Sequence, residues 1–171
     1  MKQEGMMRKG IMVAVAVMLL MPAVAGAQQK KGGIDIKTVS EVEITQTDAS
    51  GKKEVKRIDA TTVNVAPGQT VIFTNYYTYS GEKPATDVVI KNPVSEHMVY
   101  LDGTAEGKGA KIEFSIDHGK TFAAADKLTV KTADGKERRA NAADYTNVRW
   151  TIEKPLQKGD KGSVSFKARL K

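Results

Sequence analysis

From Thr70 to Leu101 the chain alternates apolar or aromatic side chains with polar ones, TVIFTNYYTYS and then TDVVIKNPVSEHMVYL, with GEKPA between them. Period-two alternation puts successive side chains on opposite faces of an extended strand, whereas an amphipathic helix repeats its apolar positions every three or four residues. The spacing predicts that the two runs pair as antiparallel strands across Gly81 and Pro84. In the first run Val71, Phe73, Asn75, Tyr77 and Tyr79 share the face expected to be core. Ile72, Thr74, Tyr76, Thr78 and Ser80 share the other.

The same period recurs along the chain. Ile34, Ile36, Val42 and Ile44 alternate before the turn Asp48 to Gly51, and KEVKRIDATTVNV continues the pattern to Val63 and Val65, predicting a hairpin. This arm is expected to fold back on Lys53 to Ile58 of its own chain, with strand exchange between copies as the other outcome. Pro67-Gly68 suits the centre of a type II turn. Further on, Ile112, Phe114 and Ile116 share a face, Leu128 and Val130 mark another strand, and Val148, Trp150 and Ile152 precede a last run with Val164, Phe166, Ala168 and Leu170 inward. Helix is nowhere favoured, because β-branched residues dominate and turn residues interrupt at short intervals.

Before these strands lies a segment of another kind. Basic Lys2, Arg8 and Lys9 lead into the apolar stretch Ile11 to Met21, then Pro22 and small residues ending Ala25-Gly26-Ala27. That succession is a secretory signal peptide with cleavage expected after Ala27. Its apolar run is shorter than the roughly 20 residues a bilayer span needs. The protein is therefore expected to be exported, to the periplasm or the medium, and not to span the membrane. The remainder is the size of one domain, divided here into an arm and hairpin at residues 28–66 and a core at 67–171. With 0 Cys, burial and sheet hydrogen bonds must hold it, although the compartment would permit disulfides.

Formal net charge is +7, lowered slightly by removing the leader. A mild basic bias keeps a surface solvated and favours acidic polysaccharide or lipid head groups over nucleic acid, for which no binding motif is present. Only His97 and His118 are available, too few and too far apart for a zinc-like site. Phosphate-loop, nucleophile-elbow, EF-hand and dinucleotide signatures are missing, so no metal or cofactor is expected. Scattered carboxylates such as Asp87, Glu96, Asp102, Glu106 and Asp117 could pair for glycoside hydrolysis, but an all-β chain rich in acids meets that spacing by accident.

Two groups of residues could carry contacts. Tyr76, Tyr77 and Tyr79 could form an aromatic platform for sugar rings, although tyrosines at period two are more often half-buried packing. Lys136, Arg138 and Arg139 form a small basic cluster in a run expected to be an edge hairpin, where cations also discourage sheet-to-sheet association.

One motif is local and specific. Ser115-Ile116-Asp117-His118-Gly119-Lys120-Thr121-Phe122 resembles an Asp-box, the S-x-D-x-G-x-T-W/F hairpin of sialidase-like propellers and other β proteins. Ser and Asp oxygens can accept from turn amides, Gly permits a positive φ, and the aromatic is expected to pack under the turn. The resemblance implies a structural element away from any catalytic site, and a single copy does not build a propeller.

From Pro67 to Leu101 and from Tyr145 to Leu170 the chain also resembles the bacterial repeat family known as domain of unknown function 11. The matching features are Pro67-Gly68, Tyr79-Ser80-Gly81, Ala85-Thr86-Asp87-Val88-Val89-Ile90, Asn92-Pro93, Val99-Tyr100-Leu101, Trp150, and Lys158-Gly159 leading to Val164. Departures fall at turns: Tyr79 for the turn Asn, Asn92 for Asp, Ser95 for Pro and Lys158 for Pro. The resemblance implies an all-β, immunoglobulin-like antiparallel β-sandwich of exported proteins. A fold does not license a function. The reading it supports is a non-catalytic component of the cell envelope acting by contact, in structure, adhesion or assembly, on other envelope or surface proteins. A carbohydrate-binding module and, less favoured, a sialidase-like hydrolase are the alternatives.

Overall fold

The computed structural model describes residues 33–48 and 50–171; the expected signal peptide at residues 1–27 lies outside them. Among the described residues there is no α-helix, only strands and three single 3-10 turns. The strands are β1 (Ile34–Thr47), β2 (Lys53–Asp59), β3 (Thr70–Tyr79), β4 (Val89–Pro93), β5 (Met98–Tyr100), β6 (Glu106–Gly107), β7 (Ala110–Ser115), β8 (Thr129–Lys131), β9 (Glu137–Arg139), β10 (Asn147–Ile152) and β11 (Lys161–Leu170). The larger sheet has the order β2-β1-β3-β11-β5, with β6 also on β11; the smaller is β4-β10-β7, and β8-β9 is a separate ribbon. Every pairing is antiparallel.

The expected pairing of the two central runs is corrected. β3 lies between β1 and β11, while the second run enters the opposite sheet as β4 beside β10. What redirects the chain is local. The Tyr79 ring lies against Gly81, where a Cβ would collide with it, and Tyr79 Oη donates to the Lys83 carbonyl. Ala85 then bridges to Leu156, and Asp87 takes a positive φ of 54° before β4 begins. Alternation therefore identified the strands but not their neighbours.

The hairpin forms between β1 and β2, around a turn in which Asp48 Oδ1 accepts from the amides of Ser50 and Lys52, each at 2.9 Å. It stops earlier than the sequence pattern suggests. Asp59 Oδ1 accepts from Thr61 N at 2.8 Å and caps a 3-10 turn at Ala60–Thr62, so Val63 and Val65 are not in a strand. An Asx-type side chain offers the backbone a competing partner, and here it ends the ladder. β1 itself has its own chain on both sides, β2 over one stretch and β3 over Ile34 to Val42.

Between the two sheets sits one apolar core. Val148, Trp150 and Ile152 point inward from β10, as do Val164, Phe166 and Ala168 from β11, and all six are buried. Trp150 and Phe166 face each other with ring centroids 6.3 Å apart, and Tyr100, Phe114 and Tyr145 form a second aromatic group with spacings of 4.5 to 5.7 Å. One polar link crosses the core: Asn92 Nδ2 donates to Asn75 Oδ1 at 3.4 Å, which also accepts from Thr38 Oγ1 at 2.7 Å. Asn75 Nδ2 and Trp150 Nε1 are buried without a partner among the described residues.

Candidate functional site

The Asp-box segment closes the end of β7. Ser115 Oγ donates to Asp117 Oδ1 at 2.6 Å and accepts from Gly119 N at 2.9 Å. The Asp117 carboxylate accepts from Lys120 N at 3.0 Å, and from Thr121 through its amide at 2.9 Å and its hydroxyl at 2.6 Å. His118 and Gly119 take positive φ values of 59° and 82°. Hydrogen bonds from the Ser115 and Thr121 side chains, then from the turn amides, hold Asp117 far below the ordinary carboxylate range. A carboxylate held so strongly by its own turn serves as a fastener of that turn.

Phe122 corrects one expectation. It does not pack under the turn but lies over the outward face of the smaller sheet, with Arg149 Cζ 4.5 Å and Lys91 Nζ 5.2 Å from its ring centroid. Lys91, Arg149 and Glu113 are cross-strand neighbours there. Arg149 Nη2 meets Glu113 Oε2 at 2.6 Å, and Lys111 Nζ meets Glu113 Oε1 at 3.0 Å. Burial disfavours the charge on Glu113, but the hydrogen bonds and charges of Arg149 and Lys111 outweigh it and lower its pKa.

The three tyrosines do not share a surface. Tyr77 is buried with its ring against Gly162, Tyr79 covers Gly81 on the same inward face, and only Tyr76 is exposed, at 49%, on the outward face. The basic cluster is likewise dispersed. Lys136 pairs with Asp134 at 3.2 Å, and Arg138 holds Asp144 in a two-pronged bridge at 2.6 and 2.7 Å. The Arg138 hydrogen bonds lower the Asp144 pKa. Arg139 lines a separate depression with Asp102, Asp126 and Tyr145.

A cleft that sequence reasoning missed lies on the outward face of the larger sheet. Its floor is two cross-strand rows, Ile72 beside Lys167 and Thr74 beside Ser165. One wall is Arg57 from β2; the other is the loop carrying Thr104, which swings out where β5 and β6 break their shared edge along β11. Thr104 is fixed by accepting from Lys167 N at 3.1 Å and donating to the Leu101 carbonyl at 2.6 Å. The cleft encloses about 270 Å³. Its signal in the sequence was Ile72, an apolar residue at an outward position of an otherwise amphipathic strand.

Among the described residues no group of three or more His, Asp or Glu could hold a metal ion, and no helix is long and apolar enough to cross a membrane. The architecture and these sites define an all-β protein of facing antiparallel sheets whose motif residues serve turns. No family model matches the chain, and neither a curated protein nor a solved structure is found to be similar to it.

Proposed function

We propose that this chain is an exported, non-catalytic, immunoglobulin-like β-sandwich that acts by contact within the cell envelope, as a structural, adhesion or assembly component. The observation that carries the reading is the state of Asp117. The chain's one recognisable chemical motif places its carboxylate and its serine hydroxyl in hydrogen bonds to their own turn, the role the Asp-box resemblance implies. Export follows from the charged, apolar and small-residue succession of residues 1–27. The kinship with domain of unknown function 11 rests on the turn and strand pattern from Pro67 to Leu101 and from Tyr145 to Leu170.

Crosslinking in intact cells, followed by fractionation and N-terminal sequencing, tests this. The expected result is a mature chain beginning at Gln28, recovered from the envelope or medium and joined to envelope proteins or polymers. A chain retaining Met1 in the cytoplasm, or one that turns over a glycoside at a rate abolished by Asp117→Ala without change in thermal stability, would overturn it.

A further inference from the structure

We infer that the cleft on the outward face of the larger sheet is a binding site for an acidic polysaccharide, with Lys167, Thr74 and Ser165 receiving its anionic group. The inference rests on the envelope-contact reading and names its partner. Thr74 is 7% exposed, lines the cleft, and makes no side-chain hydrogen bond among the described residues. With the rest of the residue buried and its hydroxyl unbonded, the Oγ1 opens on the cleft and is available to a group from outside. Ser165, half-buried and set between Thr74 and Glu106 on the neighbouring strands, also makes no side-chain hydrogen bond among the described residues. Lys167, in the adjacent row, has no acidic partner within ion-pair distance among the described residues, although it is only partly exposed. Two free hydroxyl donors beside a free ammonium group form a complement to a carboxylate or sulfate.

The walls select for more than an ion. Arg57, 3.2 Å from Glu43, adds positive charge on one side, while Glu106 lines the cleft as an acceptor for ligand hydroxyls. Tyr76 projects from the same face two residues along β3, a spacing of about 7 Å, and its half-exposed ring offers a flat apolar surface to the C–H face of a sugar. Anion receptor, hydroxyl acceptor and stacking ring in one line match a chain of charged sugars better than a free phosphate, which would use only the first. The net positive charge that remains after the leader is removed adds long-range attraction for such a polymer.

Affinity electrophoresis of the purified protein through gels containing polygalacturonate, dextran sulfate or neutral dextran provides the test. Retardation by at least one acidic polymer and none by dextran is expected; preference for polygalacturonate assigns a carboxylate, preference for dextran sulfate a sulfate. Thr74→Val and Lys167→Gln should each weaken retardation about tenfold, the size of one charge-assisted hydrogen bond, with thermal unfolding unchanged. Ser165→Ala, a smaller change at the sheet floor, should act in the same direction. Lys136→Gln, which removes the same charge from the β8-β9 turn, should stay within about twofold of wild type. Equal losses for Lys136→Gln and Lys167→Gln, equal retardation in neutral dextran, or no retardation in any gel would overturn the inference. If that occurs while cellular crosslinking still captures an envelope partner, the contact reading stands and only this site is lost.

Discussion

The outward faces of the two sheets treat their polar side chains in opposite ways. On the smaller sheet Arg149 and Lys111 both pair with Glu113, and the Phe122 ring closes over Arg149 and Lys91. On the larger sheet Thr74, Ser165 and Lys167 line one cleft from neighbouring strands, yet none bonds to another through its side chain. Both faces are partly desolvated. A desolvated polar group satisfied from within belongs to stability, whereas one left open is free to act on something outside the chain.

Substitutions that break this contrast should therefore differ in kind. The largest loss is expected behind both faces, at Trp150, fully buried between the sheets: Trp150→Ala should cost about 3–5 kcal/mol in urea unfolding. The wild-type indole should also emit at short wavelength, and emission typical of water-exposed indole would refute the packing. Next is Arg149→Ala, which leaves Glu113 buried with Lys111 alone and should cost about 2–4 kcal/mol.

That variant also sharpens the comparison through pH. Glu113 has a folded pKa below its ordinary value, so its contribution is full above the ordinary carboxylate range and is lost as pH falls through the depressed folded value. Removing Arg149 leaves burial less opposed, so acid unfolding should begin at higher pH; melting curves from pH 3 to pH 7 measure the displacement. Asp117→Ala should lower the melting temperature to a smaller degree, with the same sign of pH dependence, since its pKa is also depressed. The smallest effect belongs to the open face: Thr74→Val should change stability by less than about 1 kcal/mol. A loss at Thr74 as large as that at Arg149 would mean that both faces are structural and the contrast is false.

Much of the strand content was legible because alternation reflects a property each strand has alone. Trp150 between Val148 and Ile152 announced a buried face, and Ser115, Asp117, Gly119 and Thr121 announced a turn. Pro67-Gly68 also forms the expected turn, with Gly68 at φ 87° and Gln69 N donating to the Ala66 carbonyl at 3.1 Å. Partnership was not legible, because β3 and β4 are separated by only a short stretch whose direction depends on how Tyr79 meets Gly81. Phe122 was misplaced for a related reason: a motif specifies its own hydrogen bonds, while the Arg149 guanidinium that attracts the ring lies on a strand far along the chain. The cleft needed four distant segments, around Arg57, Thr74, Thr104 and Lys167, to meet.

The ladder between β3 and β11 has a consequence for the order of assembly. It joins Thr70 to Arg169 and Thr78 to Lys161, whereas β1 and β2 meet across a tight turn, Thr47 beside Lys53. Closing so long a loop costs entropy before any contact repays it, so the hairpin forms early and the β3-β11 ladder late. β11 is also the strand that receives β5 and β6. Until residues 161–170 pair, Val71, Phe73 and Tyr77 have β1 on one side and nothing on the other, so β11 acts as a latch that closes the larger sheet last.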